Sequence, residues 1–128
     1  MGTGTSVGRV RGLGSAKHGS HHWWHQRLTA ASNLLLVTWL FVSLLRLPLY
    51  NYRALALWIG SPWVSVPLVL VTISIFYHLR LGLQVVIEDY QHDFTRVIAL
   101  VALNFYAIGG AALAIFAILK VAFTGALA

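Results

Sequence analysis

The sequence predicts an all-α membrane protein with three transmembrane helices. Of the 128 residues, 59% are hydrophobic and only 9% are charged, and the mean hydropathy is +0.77. Soluble domains usually carry about 25% charged residues. Three apolar stretches, at about 28–47, 64–87 and 95–123, are each long enough to cross a hydrocarbon core of about 30 Å. Together these observations exclude an ordinary soluble domain.

The chain divides into a polar tail, a membrane region and a short end. We expect an N-terminal tail and interfacial segment over residues 1–27, a three-helix anchor over 28–123, and a C-terminal tail over 124–128. The basic start is not followed by an apolar run until well past residue 27, so it does not read as a signal peptide. A short helix is predicted at about 53–59. Pro67 is expected in the first turn of the second span, where an amide needs no helical partner.

The basic residues predict the orientation of the spans. If the N-terminus is cytoplasmic, five basic residues lie on that side and three on the other: Arg9, Arg11, Lys17, Arg27 and Arg96 against Arg46, Arg53 and Lys120. The positive-inside rule therefore favours a cytoplasmic N-terminus. The net charge of +6 is scattered along these flanks, so no nucleic-acid partner is expected. The absence of cysteine excludes disulfides and thiolate metal sites in this chain.

The end of the second span carries polar residues in an apolar setting. On a helix, His78, Gly82 and Asp89 lie along one stripe, and Asp89 and Tyr90 lie about 16 Å nearer the membrane surface than His78. An ionisable residue inside a membrane indicates a functional site. A neutral imidazole at this depth suits axial ligation of haem. Because no second histidine lies deep in a span, another chain would have to supply the second ligand.

Each of these residues also has a simpler interpretation. His78 could hydrogen-bond a neighbouring helix without any metal. Arg80 could contact a lipid or a carbonyl, or pair with a haem propionate, a role for which Arg27 is an equal or better candidate. Tyr90 could donate to a quinone carbonyl while Asp89 relays protons, or both could form a solvated helix end. The His18–His25 cluster could bind a metal, although acidic and cysteine partners are missing from it.

Two motifs resemble those of a known family. The first is the segment His22-Trp23-Trp24-His25-Gln26-Arg27-Leu28-Thr29-Ala30, which opens the first span. The second is the pattern H-x(3)-G-x-Q-V-x(3)-D-Y from His78 to Tyr90. With its length and three spans, the chain from about Gly12 is similar to the hydrophobic membrane anchor subunit of succinate dehydrogenase (respiratory complex II), of the alphaproteobacterial and mitochondrial type.

The resemblance implies a complex with three other subunits: a flavoprotein with FAD, an iron–sulfur protein, and a second anchor of the cytochrome b type. It implies a haem b shared by the two anchors, with His78 as an axial ligand of the iron, Arg27 near the propionates and Gly82 packed against the macrocycle. It further implies that Tyr90 hydrogen-bonds ubiquinone, with Asp89 beside it. The chain is then not catalytic alone, and it resides in the bacterial inner membrane, or in the mitochondrial inner membrane of a eukaryote.

Two alternatives share the predicted architecture. One is the anchor of a quinol:fumarate reductase, because the direction of electron flow is set by features outside this chain. The other is a haem-free structural anchor, although such an anchor would have no use for His78. The roles of Arg80, Glu88 and the His18–His25 cluster stay open at this point.

Overall fold

The computed structural model describes residues 5–6, 19–48 and 51–125. Four helices are described in these ranges: α1 (Gly19–Leu45), α2 (Tyr52–Gly60), α3 (Pro62–Tyr90) and α4 (Asp93–Thr124). Helices α1, α3 and α4 are long and apolar enough to cross a membrane, which confirms the predicted class. The short α2 confirms the helix expected at 53–59. Most of the predicted tail, His18 and residues 126–128 lie outside the described residues.

Helices α1 and α3 run antiparallel and are in register through two contacts. Thr29 of α1 lies against His78 of α3, and Gln26 lies beside Gly82, so lower numbers on α1 meet higher numbers on α3. The start of α1 and the end of α3 therefore lie at one membrane surface, which we call the Tyr90 surface. The opposite surface holds the end of α1 and the short helix α2.

Helix α3 is the centre of the fold. It packs against α1 on one side and α4 on the other, whereas α1 and α4 make no contact over the described residues. His78 and Arg80 are two residues apart, so their side chains point about 200° apart around the axis of α3. Accordingly, His78 faces α1, while Arg80 hydrogen-bonds Asn104 of α4. Few side chains are buried, and none of them belongs to α1. The three spans thus form an open layer rather than a closed bundle.

A single glycine allows close packing between α3 and α4. A Cβ placed on Gly110 would lie 2.6 Å from Cε1 of Phe76, whereas one on Gly109 would meet nothing within 4 Å. Small residues let membrane helices approach closely. The close packing between α3 and α4 therefore occurs at Gly110, and Gly109 lies on an open face.

The start of α3 differs from the prediction. Ser61 is the N-cap and Pro62 occupies the first helical turn, a favourable position because its missing N–H is not needed there. Pro67 consequently lies inside the helix, and the prediction that placed it in the first turn is wrong. The reason is that α3 begins directly after α2, earlier than the hydropathy of the span indicates. Helix α1 likewise begins at Gly19, before the predicted span.

The turn between α3 and α4 is short and ionic. Only Gln91 and His92 separate the helices, and Asp93 adopts a left-handed φ of 53°, which aspartate tolerates better than most residues. Glu88 accepts a 3.0 Å hydrogen bond from Gln84 and lies 3.8 Å from the guanidinium of Arg96. Glu88, whose role the sequence left open, therefore ties the end of α3 to the start of α4.

Candidate functional site

A row of polar residues on α1 faces α3. We call it the α1 polar stripe: His22, Gln26, Thr29 and Asn33. Spacings of three and four residues bring side chains to one face of a helix, and the contacts of Thr29 and Gln26 show that this face points towards α3. Opposite lie Ser74, His78 and Gly82, which are four residues apart on α3. The α1–α3 interface is therefore a polar seam inside the apolar spans.

His78 is held in this seam by one hydrogen bond. Its Nδ1 lies 3.0 Å from the hydroxyl of Thr29, and the side chain is partly buried. The second ring nitrogen, Nε2, has no hydrogen-bond partner among the described residues. His78 thus lies within α3, with one nitrogen engaged on α1 and the other available.

Several buried polar atoms of the seam lack partners. Over the described residues, Nε2 of His22, Oε1 of Gln26, Oδ1 of Asn33 and Oγ of Ser74 are buried without a hydrogen bond. Such atoms are uncommon in folded proteins because each one costs desolvation energy. They make the seam a candidate binding site.

The seam fits one axial contact to a haem. An available imidazole nitrogen at this depth is a suitable iron ligand, and His78 provides it. No group of three or more potential metal ligands occurs in the described part of the chain. A Cβ on Gly82 would lie 3.6 Å from Nε2 of Gln26, so in this chain the space beside Gly82 is bordered by the glutamine.

Two histidines near the start of α1 form a second cluster with a tyrosine of α3. The hydroxyl of Tyr77 lies 2.9 Å from Nδ1 of His25, and Nε2 of His25 lies 3.2 Å from Nε2 of His21. The sequence did not assign these histidines. Here they join the start of α1 to α3, one helical turn nearer the Tyr90 surface on α1 than the contact between Thr29 and His78.

Asp89 and Tyr90 are the outermost residues of α3. The side chain of Tyr90 is 78% exposed and Asp89 is exposed as well. Neither side chain has a hydrogen-bond partner among the described residues. The phenol and the carboxylate are therefore available together at the Tyr90 surface, but they are distant from His78 along the helix axis.

The two arginines singled out from the sequence have different surroundings. Arg27 is exposed and its Cζ lies 4.9 Å from the ring centre of Trp23. It is two residues from Thr29 and hence about 200° around α1, so the structure does not bring it to His78. Arg80 donates to Oδ1 of Asn104 on the side of α3 that faces away from α1.

Sequence reasoning missed Thr29 as a partner of His78 and Tyr77 as a partner of His25. The sequence does contain a pattern that indicates the role of Thr29, because the residues of the α1 polar stripe are spaced as on one helical face. Polar residues repeating at this spacing in an apolar span indicate a face turned towards protein rather than lipid. Pairing Thr29 with His78 also requires the register between two helices, which the spacing does not provide.

Three apolar spans with a polar seam between two of them define a multi-pass, all-helical membrane protein. The profile of the family described as "Succinate dehydrogenase/Fumarate reductase transmembrane subunit" matches residues 1–123. The chain therefore belongs to this family. No solved structure matches the chain.

Similar proteins are found in Rickettsia. The chain is 39% identical over 82 residues to the succinate dehydrogenase hydrophobic membrane anchor subunit of Rickettsia bellii (strain RML369-C). It is 37% identical over 83 residues to the protein of the same name from Rickettsia conorii (strain ATCC VR-613 / Malish 7). In both cases the match covers 64% of this chain and 66% of the relative. These relatives agree with the family and with the alphaproteobacterial type.

Proposed function

We propose that this chain is the hydrophobic membrane anchor subunit of a succinate dehydrogenase, and that it holds a haem b jointly with a second anchor. The family match over residues 1–123 and the Rickettsia relatives support the anchor role. One observation carries the haem assignment: His78 lies inside a span with Nδ1 bonded to Thr29 and Nε2 available. The buried polar atoms of the same seam that lack partners among the described residues support a further group at this interface.

Three residues of this chain would hold the haem. His78 supplies one axial nitrogen, and Gly82 keeps the next turn of α3 free of a side chain. Arg27, which is exposed at the start of the first span, would leave its stacking on Trp23 to supply positive charge for a propionate, because carboxylates near a membrane interior need compensation. The haem, when bound, supplies a one-electron carrier within the membrane.

Tyr90 and Asp89 would form this chain's part of the ubiquinone site. The Tyr90 hydroxyl donates a hydrogen bond to a quinone carbonyl, which orients the ring at the Tyr90 surface. Reduction of the quinone to the quinol takes two electrons and two protons. The electrons come from an iron–sulfur partner, and the Asp89 carboxylate passes protons from water to the reduced oxygen atoms. The exposure of both side chains supports this role, since the quinone and the protons must reach them.

The same proposal includes the partners and the location. A flavoprotein with FAD and an iron–sulfur subunit would dock at the Tyr90 surface on the cytoplasmic side, and the second anchor would cover the polar seam. The membrane is the bacterial inner membrane. The family description also names fumarate reductase, so an anchor of a quinol:fumarate reductase is the second candidate.

The test is purification of the intact complex through a tag on this chain. We expect mass spectrometry to find the flavoprotein, the iron–sulfur protein and a second small anchor, and a reduced-minus-oxidised spectrum to show a b-type haem.

His78→Ala should remove or weaken this haem while the subunits stay together, because the apolar spans are unchanged. His92→Ala is the matched control, since His92 is exposed in the turn after α3. The rate of ubiquinone reduction by succinate, compared with the rate of fumarate reduction by quinol, distinguishes a succinate dehydrogenase from a quinol:fumarate reductase.

The haem assignment would be wrong if the assembled His78→Ala complex kept the wild-type spectrum. The anchor role itself would be wrong if none of the three partners copurified with the chain.

A further inference from the structure

We infer that Thr29 is a positioning residue: its hydroxyl accepts a hydrogen bond from Nδ1–H of His78 and thereby fixes the tautomer and direction of the iron ligand. The inference deepens the proposed function and rests on haem ligation by His78. It follows from the hydrogen-bond geometry around one oxygen atom.

The Thr29 hydroxyl has three polar neighbours. Its Oγ1 lies 2.8 Å from the carbonyl oxygen of His25, 3.1 Å from that of Gln26 and 3.0 Å from Nδ1 of His78. A hydroxyl has one hydrogen to donate and two lone pairs. Carbonyl oxygens can only accept, and both lie in donor geometry from the hydroxyl, so we assign the hydroxyl hydrogen to them.

The direction of the third bond follows from that assignment. With its hydrogen on the carbonyls, the hydroxyl accepts from His78, which places the proton on Nδ1. This tautomer is assigned from the hydrogen-bond pattern. Nε2 is then the nitrogen with the free lone pair, and a neutral imidazole binds a metal through such a nitrogen.

This arrangement is not shared by the other threonines of the spans. Thr38 and Thr72 donate to Leu34 and Leu68 in their own helices, as helical threonines commonly do. Among the threonines that the structure describes, Thr29 alone also contacts a histidine ring, across 49 positions of sequence. Its bonds to the preceding turn fix the side-chain rotamer, so the lone pair that meets Nδ1 has a set direction.

The hydrogen bond also affects the electronic properties of the ligand. A histidine that donates its other ring N–H to an acceptor is a more basic ligand, and its orientation is fixed. Because the hydroxyl of Thr29 itself donates to carbonyls, it is a better acceptor than an isolated hydroxyl. A more basic ligand favours ferric iron. Thr29 therefore lowers the midpoint potential of the haem.

The test compares three variants in the intact complex. Thr29→Val keeps the shape but removes the hydroxyl, Thr29→Ser keeps the hydroxyl, and Thr38→Val removes a hydroxyl of the same helix that contacts no histidine. Haem content, midpoint potential and the low-spin ferric EPR spectrum are measured for each. We expect Thr29→Val to raise the midpoint potential and shift the EPR g-values, or to lose haem, while Thr29→Ser and Thr38→Val stay near the wild type.

The outcomes separate this inference from the proposed function. A Thr29→Val complex with wild-type haem content, potential and EPR spectrum would overturn the positioning role, even if His78→Ala loses haem. Equal changes in Thr29→Val and Thr29→Ser would also overturn it, because the hydroxyl would then not be the cause. A wild-type complex without haem would refute the proposed cofactor and this inference together.

Discussion

Arg80 of α3 donates from Nε to Oδ1 of Asn104, and this bond joins the second and third spans. The amide of Asn104 is itself oriented, because its Nδ2 donates to the carbonyl of Leu100 at 2.7 Å. The guanidinium thus meets a fixed acceptor on α4. Arg80 is therefore a structural residue of the α3–α4 interface, and it lies on the side of α3 remote from Thr29.

We expect Asn104→Leu to destabilise the complex by about 1–2 kcal/mol, the upper range for a hydrogen bond between membrane helices. The cause is that the Arg80 charge then loses its neutral partner. The double variant with Arg80→Leu should lose less than the sum of the two single variants, because the residues are coupled. Thermal unfolding of the purified complex measures this. Thr72→Val is the control, and strictly additive losses would argue against the coupling.

Gly110→Ala should destabilise the α3–α4 interface by about 1–3 kcal/mol, the usual range for overpacking. The added methyl group would lie 2.6 Å from the Phe76 ring, which would have to move. Gly109→Ala is a matched control with open space around it and the same gain in helix propensity. Both variants can be compared by thermal unfolding. Equal midpoints for the two would contradict the predicted contact.

Tyr90→Phe should slow ubiquinone reduction about tenfold. The reason is that the loss of one hydrogen bond of about 1.4 kcal/mol in the transition state lowers the rate by that factor. Succinate oxidation by an artificial dye should not change, because it does not use the quinone site. Tyr52→Phe is the control: Tyr52 is 69% exposed but lies at the opposite surface. A parallel loss in both assays would instead indicate an assembly defect.

The predicted orientation can be tested with single cysteines, because the chain has none of its own. We expect Gln91→Cys, at the Tyr90 surface, to react with an impermeant maleimide only when the cytoplasmic side is accessible. Tyr52→Cys should react from the other side. Labelling with the reverse sidedness would show that the positive-inside count gives the wrong orientation here.

The class and the three spans follow from the sequence because hydropathy and length determine which helices can cross a membrane. Helix boundaries follow less well: Pro67 was placed in the first turn, whereas Ser61 and Pro62 start α3 earlier. The depth of His78 could be predicted from its position in the span. Its partner Thr29 could not, because the contact depends on how α1 and α3 are rotated and aligned. The same holds for Arg80 and Asn104.

The site residues also differ in how far the sequence predicts their position and role. Tyr90 and Asp89 lie exposed where their position at the helix end predicts them, but their quinone role stays a prediction. Arg27 stays a prediction as well, because it stacks on Trp23 and its charge is directed away from the seam. A residue whose role depends on another subunit cannot be assigned from the packing of this chain alone.

The open layer of spans, in which α1 has no buried residue and touches only α3, has a consequence for biogenesis. A newly inserted copy would keep the polar atoms of the seam buried without hydrogen-bond partners among the described residues, in a membrane interior that supplies none. We expect orphan copies to be short-lived substrates of membrane quality-control proteases. The cellular amount of this chain would then follow the supply of its partners rather than its own rate of synthesis.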